Sequence, residues 1–560
     1  MKQKTGGEAL LEQFAIDGHT FMFGNPGTQE DGFLSKIPQY PQIQYILALH
    51  ETVALMMADG YARATQKPAL VQIHSTPGLG NTIGAIYQAM RGHSPLVIIG
   101  GDAGTQYLNM DAQMAGDYLS MARPVTKYAD LVTHPSSLLR TVRRAIKIAA
   151  TPPMGPVYVC LPADIINAPC PEEIFPTHIP STRVTPTQDF INQVVPLLAN
   201  ARQPVIFIGD GIAQSNAHRE LIRLAELIGA EVWGADEGDL NMSYTHPLYQ
   251  GQTGHVFGSL SLPISTKGDV ILICGTYMLP EVFPETGNIF APNAKIIHID
   301  LNAYEIAKNH RVDFSIVSDP KLTLASLCEA LSATMSPEQH QQAKKRVQAI
   351  SQRKEETRNK QIQEDQKRYN TLPMPAAQFM QELAAILPKD ALIFDEALTC
   401  SPVLTRYLQP NLPGHFFQTR GGSLGVGLPG ALGLKLAHPD KVVFGFSGDG
   451  AAMYTIQSLW TAARYNIGAK LVICNNQTYM LLKVNSARYW QEHGIQTTLF
   501  PDFYDLNPRI DFVGMAHAMG VPGVRVEKPE QIRPVILQAI DHQGPFLIDL
   551  VIANEVPYIR

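Results

Sequence analysis

The residues of this chain best suited to chemistry by type and spacing are Gly448-Asp449-Gly450 and Asn475-Asn476. The first triplet follows the apolar run Val442 to Phe446, and the asparagines follow a second such run, Leu471 to Cys474, one helix later. Glycines at a strand end let the backbone approach a phosphate closely, and the helix that follows offers its free N–H groups. An Asp carboxylate and an Asn amide oxygen are hard ligands of the kind magnesium takes, its remaining positions going to phosphate oxygens and water. A strand-helix-strand unit returns Asn476 beside Asp449. Asp449, Asn476 and the backbone carbonyl of Thr478 are therefore expected to hold Mg2+ against a diphosphate cofactor, with Gly448, Gly450 and Tyr479 beside it. GDG alone is a common turn and NN a common loop; their order after two strands carries the reading.

Mostly apolar runs recur at Leu70 to Ile73, Leu96 to Ile99, Val157 to Cys160, Val205 to Ile208 and Val270 to Cys274. They continue at Ile296 to Ile299, Leu392 to Phe394, Val442 to Phe446, Leu471 to Cys474 and Phe546 to Leu550. Continuous rather than alternating apolarity suits parallel strands covered on both faces. Helix-length amphipathic stretches such as Ala217 to Ile228 and Ile456 to Tyr465 lie between them. The expected fold is α/β, with three doubly wound parallel-sheet domains at residues 1–175, 188–340 and 372–555. The Pro- and Thr-rich segment Pro171 to Gln188 reads as a linker. The charged stretch Gln341 to Arg368 reads as a solvated helix and strap.

Composition narrows the partners. In 560 residues, 44 Lys and Arg oppose 50 Asp and Glu, a net charge of −6, which leaves no basic footprint for nucleic acid or an anionic membrane. Charged residues make up only 17% and hydrophobic ones 45%, as expected where surface is hidden between subunits. The apolar runs are far too short to span a bilayer, and Glu8, Glu12 and Gln13 interrupt any secretory h-region. Six scattered Cys without a CxxC pair fit a reducing cytoplasm.

The GDG and NN pair resembles the thiamine diphosphate signature, and the resemblance covers essentially the whole chain. It is carried by Phe23-Gly24-Asn25-Pro26-Gly27-Thr28, Ala58-Asp59-Gly60-Tyr61-Ala62, Ile73-His74-Ser75 with Gly78 and Gly80-Asn81, and His93-Ser94-Pro95-Leu96. Gly421-Gly422-Ser423-Leu424-Gly425 and Trp460-Thr461-Ala462-Ala463 continue it. Within the thiamine diphosphate enzymes the likeness is to benzoylformate decarboxylase, with His74 where acetolactate synthase typically has Thr.

The resemblance implies roles. Glu51, in Leu47-Ala48-Leu49-His50-Glu51, would bond a pyrimidine nitrogen of the cofactor; taken alone, a Glu in a first helical turn merely suits the helix dipole. The pyrimidine-binding domain of one subunit would face the diphosphate-binding domain of another, in a homodimer or homotetramer. His74 would relay protons and Thr28 would meet the substrate carboxylate. Leu424 would prop the cofactor into its bent form, with the carbonyl of Gly421 or Gly422 holding its amine. Thr399, in Asp395-Glu396-Ala397-Leu398-Thr399, would donate to the diphosphate.

The match also fails in places. The family's second active-site His falls in the part resembling Gly275 to Gly287, where no His occurs; Glu281 or Tyr277 are the available substitutes. Leu398 and Leu481 fall where the relatives line the pocket with smaller or more polar residues, so an aliphatic 2-oxo acid fits as well as an aromatic one. Val205 to Gly211 lacks GxGxxG, and no FAD is expected. The expected activity is decarboxylation of a 2-oxo acid to an aldehyde. The alternative is a carboligase of the acetolactate synthase or benzaldehyde lyase kind acting on an aldehyde or second 2-oxo acid, and more remotely a non-catalytic regulatory subunit.

Overall fold

The computed structural model describes residues 4–235, 237–497 and 499–554 and contains three six-stranded parallel sheets with helices between their strands. In the first, the spatial order is Gln44–Leu47, Phe21–Gly24, Ala69–Ile73, Leu96–Asp102, Val157–Pro162 and Tyr128–Leu131. In the second it is Phe314–Val317, Lys295–Asp300, Val270–Cys274, Pro204–Ile208, Glu231–Gly234 and Tyr249–Gln252. Five of the six strands of the third, Leu392–Glu396, Val443–Gly448, Lys470–Asn475, Phe546–Val551 and Gly523–Val526, lie side by side in that order.

The apolar runs in the sequence are the inner strands of these sheets, buried on both faces. The strands that such runs do not reveal are mostly at or near the edges. Tyr128–Leu131 and Phe314–Val317 are only half buried, so their side chains need not be uniformly apolar. The helix expected over Ile456 to Tyr465 forms from Ser458 to Arg464, and a separate turn of helix, Asp449–Ala452, precedes it. No helix or strand forms between Asn167 and Gln188. The charged stretch is a 30-residue helix, Pro337–Gln366, that buries only Ala343 and Ile350.

Two compact units result: Met1–Pro180 with Asp365–Leu408 and Gly421–Arg560, and Ser181–Glu364 with Gln409–Arg420. In the first unit the helix Glu51–Thr65 packs along the helix Gly427–Ala437. Their backbones touch: a Cβ on Gly60 would stand 2.1 Å from the Gly430 carbonyl oxygen, and one on Gly433 would stand 2.0 Å from that of Met57. Only glycine permits this approach. The register, Gly60 on Gly430 and Met57 on Gly433, makes the two helices antiparallel. Arg63, further along the first helix, lies 5.4 Å over the Phe394 ring.

Among the described residues, no helix is long and apolar enough to cross a membrane, and the six cysteines are buried and unbridged.

Candidate active site

At the carboxyl end of the first sheet, Phe21–Gly24 runs into the turn Asn25 to Thr28, fixed by a 2.9 Å bond from the Asn25 amide to the Ala48 carbonyl. Gly27 is pressed against the His74 imidazole, where a Cβ would fall 1.8 Å from Nδ1. His74 itself ends the strand Ala69–Ile73 and caps the helix Ser75–Arg91; Thr28 is exposed beside Gly27.

Glu30, one turn after Gly27, holds His74 Nδ1 at 3.0 Å through Oε2 and accepts the Gly101 N–H at 2.8 Å through Oε1. Burial pushes the Glu30 carboxyl up, while the His74 bond and charge pull it down. A carboxylate on Nδ1 favours the tautomer that carries its proton there.

Glu51 starts its helix immediately after His50, whose ring accepts the Thr52 N–H at 3.2 Å. Its side chain is buried, and Oε2 takes the Asn81 amide at 3.1 Å. Asn81 is held in turn by the Thr52 hydroxyl on its carbonyl, at 2.5 Å. Gly78, also on the Ser75–Arg91 helix, faces Glu51 Oε1 without a side chain in between. Glu51, Asn81, His74 and Glu30 are thus positioned by two consecutive helices and one turn.

The metal-binding candidates are built differently. Asp449 Oδ1 accepts the Gly450 N–H at 2.7 Å and Oδ2 the Gln477 N–H at 2.6 Å, while Asn476 Oδ1 accepts the Thr478 N–H at 3.1 Å. Burial pushes the Asp449 carboxyl up to about 6, and backbone N–H groups are what restrain the rise. The strands Val443–Gly448 and Lys470–Asn475 are adjacent and in register, which brings both residues to one place. Thr478 donates to the Tyr504 carbonyl at 3.0 Å, and the Tyr479 ring covers Gly450.

The remaining candidates surround this turn. Gly421, Gly422 and Gly425 all have positive φ, at 67°, 75° and 102°, so the stretch carrying Leu424 is a left-handed turn that needs its glycines. A Cβ on Gly421 would meet Arg91, while one on Gly422 would meet nothing within 4 Å. Thr399 lies on the single turn Leu398–Cys400 that follows Leu392–Glu396. Leu398 has φ 50°, as Ser75 has φ 49° and Gln477 φ 57°; each non-glycine outlier of this kind costs about 1–3 kcal/mol and clusters at working sites. Leu481 is half buried on the helix Met480–Glu492.

These residues suit a diphosphate and a divalent cation. Gly448 and Gly422 open onto space a side chain would fill, and Asp449 is a buried anion braced only by dipoles.

Three family models match in order: the thiamine pyrophosphate enzyme N-terminal TPP binding domain over residues 4–121, the central domain over 191–327 and the C-terminal TPP binding domain over 397–550. The chain belongs to the thiamine pyrophosphate enzyme family. It is 28% identical to a benzoylformate decarboxylase of Pseudomonas aeruginosa, with 98% of each chain covered. It is 29% identical to a probable acetolactate synthase large subunit of Methanococcus aeolicus, covering 98% of this chain and 92% of that one. A solved thiamine diphosphate-dependent 4-hydroxybenzoylformate decarboxylase from Rhodococcus jostii RHA1 superposes with a TM-score of 0.85 at 28% identity, over 98% of this chain and 99% of the other.

Against the sequence reading, this thiamine pyrophosphate enzyme adds Glu30, Asn81 and Glu396. Glu30 opens a helical turn, where an acid ordinarily signals only dipole compensation. Asn81 and Glu396 sit inside recognised motifs, but only the fold shows what they touch.

Proposed function

We propose that this enzyme is a Mg2+- and thiamine diphosphate-dependent lyase that converts a 2-oxo acid to an aldehyde and carbon dioxide. The observation that carries the reading is the Glu30–His74 pair pressed against the Gly27-Thr28 turn, at the start of the helix whose Gly78 faces Glu51 and whose Asn81 holds it.

Asp449, Asn476 and the Thr478 carbonyl would hold the metal, with Gly448, Gly450, Thr399 and Tyr479 around the diphosphate. Gly421, Gly422 and Leu424 would receive the rest of the cofactor. Bound thiamine diphosphate supplies the electron sink for carbon–carbon cleavage. Glu51, its Oε2 occupied by Asn81, would offer its other oxygen to a ring nitrogen of the cofactor's pyrimidine. The Thr28 hydroxyl donates to the substrate carboxylate. His74 takes and gives protons at Nε2 as the aldehyde forms. Leu398 and Leu481 would set the room for the substrate side chain and leave a carboxylate held beside them less stable than in water, relative to the less charged transition state.

The site is read as shared between two copies in a homodimer or homotetramer. Because the helices Glu51–Thr65 and Gly427–Ala437 are antiparallel, Glu51 lies beyond Met57 while Gly427 lies beyond Gly433 in the opposite direction. At ~1.5 Å per residue that separates Glu51 from the Gly425–Gly427 turn of its own chain by about 18 Å along the axis. That separation supports a diphosphate half supplied by a second copy. A cytoplasmic location fits the buried, unbridged cysteines.

A carboligase outcome is favoured by one observation. No His stands between Gly275 and Gly287, and the Tyr277 ring is capped by the Lys308 ammonium 3.4 Å from its centre. With fewer proton donors, a second carbonyl competes better. Incubation with pyruvate and with benzoylformate separates the readings: aldehyde with stoichiometric carbon dioxide supports the lyase, acyloin larger than the substrate supports the ligase, and no cofactor-dependent product contradicts both.

A further inference from the structure

We propose that Glu396 is a positioning residue that ties the glycine turn behind Leu424 to the Gly448-Asp449-Gly450 turn, and so fixes the separation of the two halves of the cofactor grip. The inference rests on the thiamine diphosphate reading of these turns.

Glu396 ends the strand Leu392–Glu396 and is wholly buried. Its Oε1 accepts the N–H groups of Gly425 at 2.8 Å and Val426 at 3.1 Å. Its Oε2 accepts the Gly427 N–H at 2.8 Å and the Ser447 hydroxyl at 3.0 Å. Three of these donors are consecutive in the turn after Leu424, and the fourth immediately precedes Gly448. A Cβ on Gly427 would lie 2.3 Å from the Phe446 carbonyl oxygen and 2.9 Å from Glu396 Cβ, so the turn closes on the strand Val443–Gly448 and on this side chain together. The Thr455 hydroxyl pins the same turn from the other side, through the Gly425 carbonyl at 2.6 Å. Burial pushes the Glu396 carboxyl up to about 7, a cost that fewer converging donors would not offset. A carboxylate is the one side chain that offers enough lone pairs for four donors.

Glu396→Gln keeps the size but supplies one oxygen and sets an amide NH2 against N–H donors. With Mg2+ saturating, dissociation constants are measured by intrinsic fluorescence for thiamine diphosphate and for inorganic pyrophosphate, which engages the Gly448-Asp449-Gly450 half only. The expected result is thiamine diphosphate weakened at least about tenfold with pyrophosphate held within about threefold. Equal weakening of both, or of neither, would overturn the proposal. Ser447→Ala, which cuts only the link between the turns, is the second variant if the first does not fold; the same split at about threefold is expected, and an unchanged thiamine diphosphate constant would overturn it. A wild-type enzyme that binds pyrophosphate but not thiamine diphosphate would overturn the cofactor reading itself.

Discussion

The two ends of the proposed site meet opposite demands on similar scaffolds. In the first and third sheets alike, the last strand in sequence lies inside the one before it, and the candidate residues sit beyond the carboxyl ends of the strands. At the Glu51 end, side chains hold side chains: Asn81 on Glu51, Glu30 on His74. At the Asp449 end, a carboxylate is oriented by backbone N–H groups of Gly450 and Gln477. Moving protons requires groups whose protonation neighbours can tune; anchoring a cation requires a fixed anion, which backbone dipoles supply without competing for the metal.

That contrast can be broken by substitution. Glu51→Gln should cost at least about a thousandfold in turnover while leaving the thiamine diphosphate dissociation constant within a few-fold. Asp449→Asn should do the reverse at sub-saturating metal, losing cofactor first and regaining turnover as Mg2+ and cofactor are raised. Similar losses in both parameters for both variants would erase the distinction.

Glu30→Gln should reduce kcat by about 10- to 100-fold, because an amide no longer keeps the proton on His74 Nδ1. The pH profile sharpens this. Burial raises the Glu30 carboxyl, so the wild-type activity should fall on the acid side at a pH above that of an ordinary carboxylate, and the variant should lose that limb. An unchanged acid limb would remove Glu30 from the proton relay.

The smallest effects concern substrate size. Leu481→Ala should shift the ratio of kcat/KM for benzoylformate over pyruvate by about tenfold, the scale that a few methylenes in an apolar pocket can discriminate. A shift in thermal stability alone, with the ratio unchanged, would place Leu481 outside the pocket.

The same contrast explains what the sequence made readable. A backbone-built turn demands glycines at fixed places, so Gly448-Asp449-Gly450 and Gly421-Gly422 are spelled out locally. The inner strands, buried on both faces, are spelled out as apolar runs. Edge strands such as Phe314–Val317, exposed on alternate residues, are not. Glu30 was hidden for a similar reason: its partner His74 comes from another strand, and a lone acid in a helical turn carries no local mark. The pairing of Glu396 with Gly425, Val426, Gly427 and Ser447 joins three separate segments that only the folded sheet brings together.

The claim that Glu51 and Asp449 of different copies share one cofactor is tested most directly by mixing two inactive variants. Glu51→Gln and Asp449→Asn enzymes, each inactive at limiting cofactor, are dissociated, combined in equal amounts and reassociated. Each mixed dimer then carries one doubly altered site and one intact site, so activity should return to about a quarter of the wild-type level under random pairing. Mixed dimers verified by mass that remain inactive would mean that both residues serve the cofactor from a single chain.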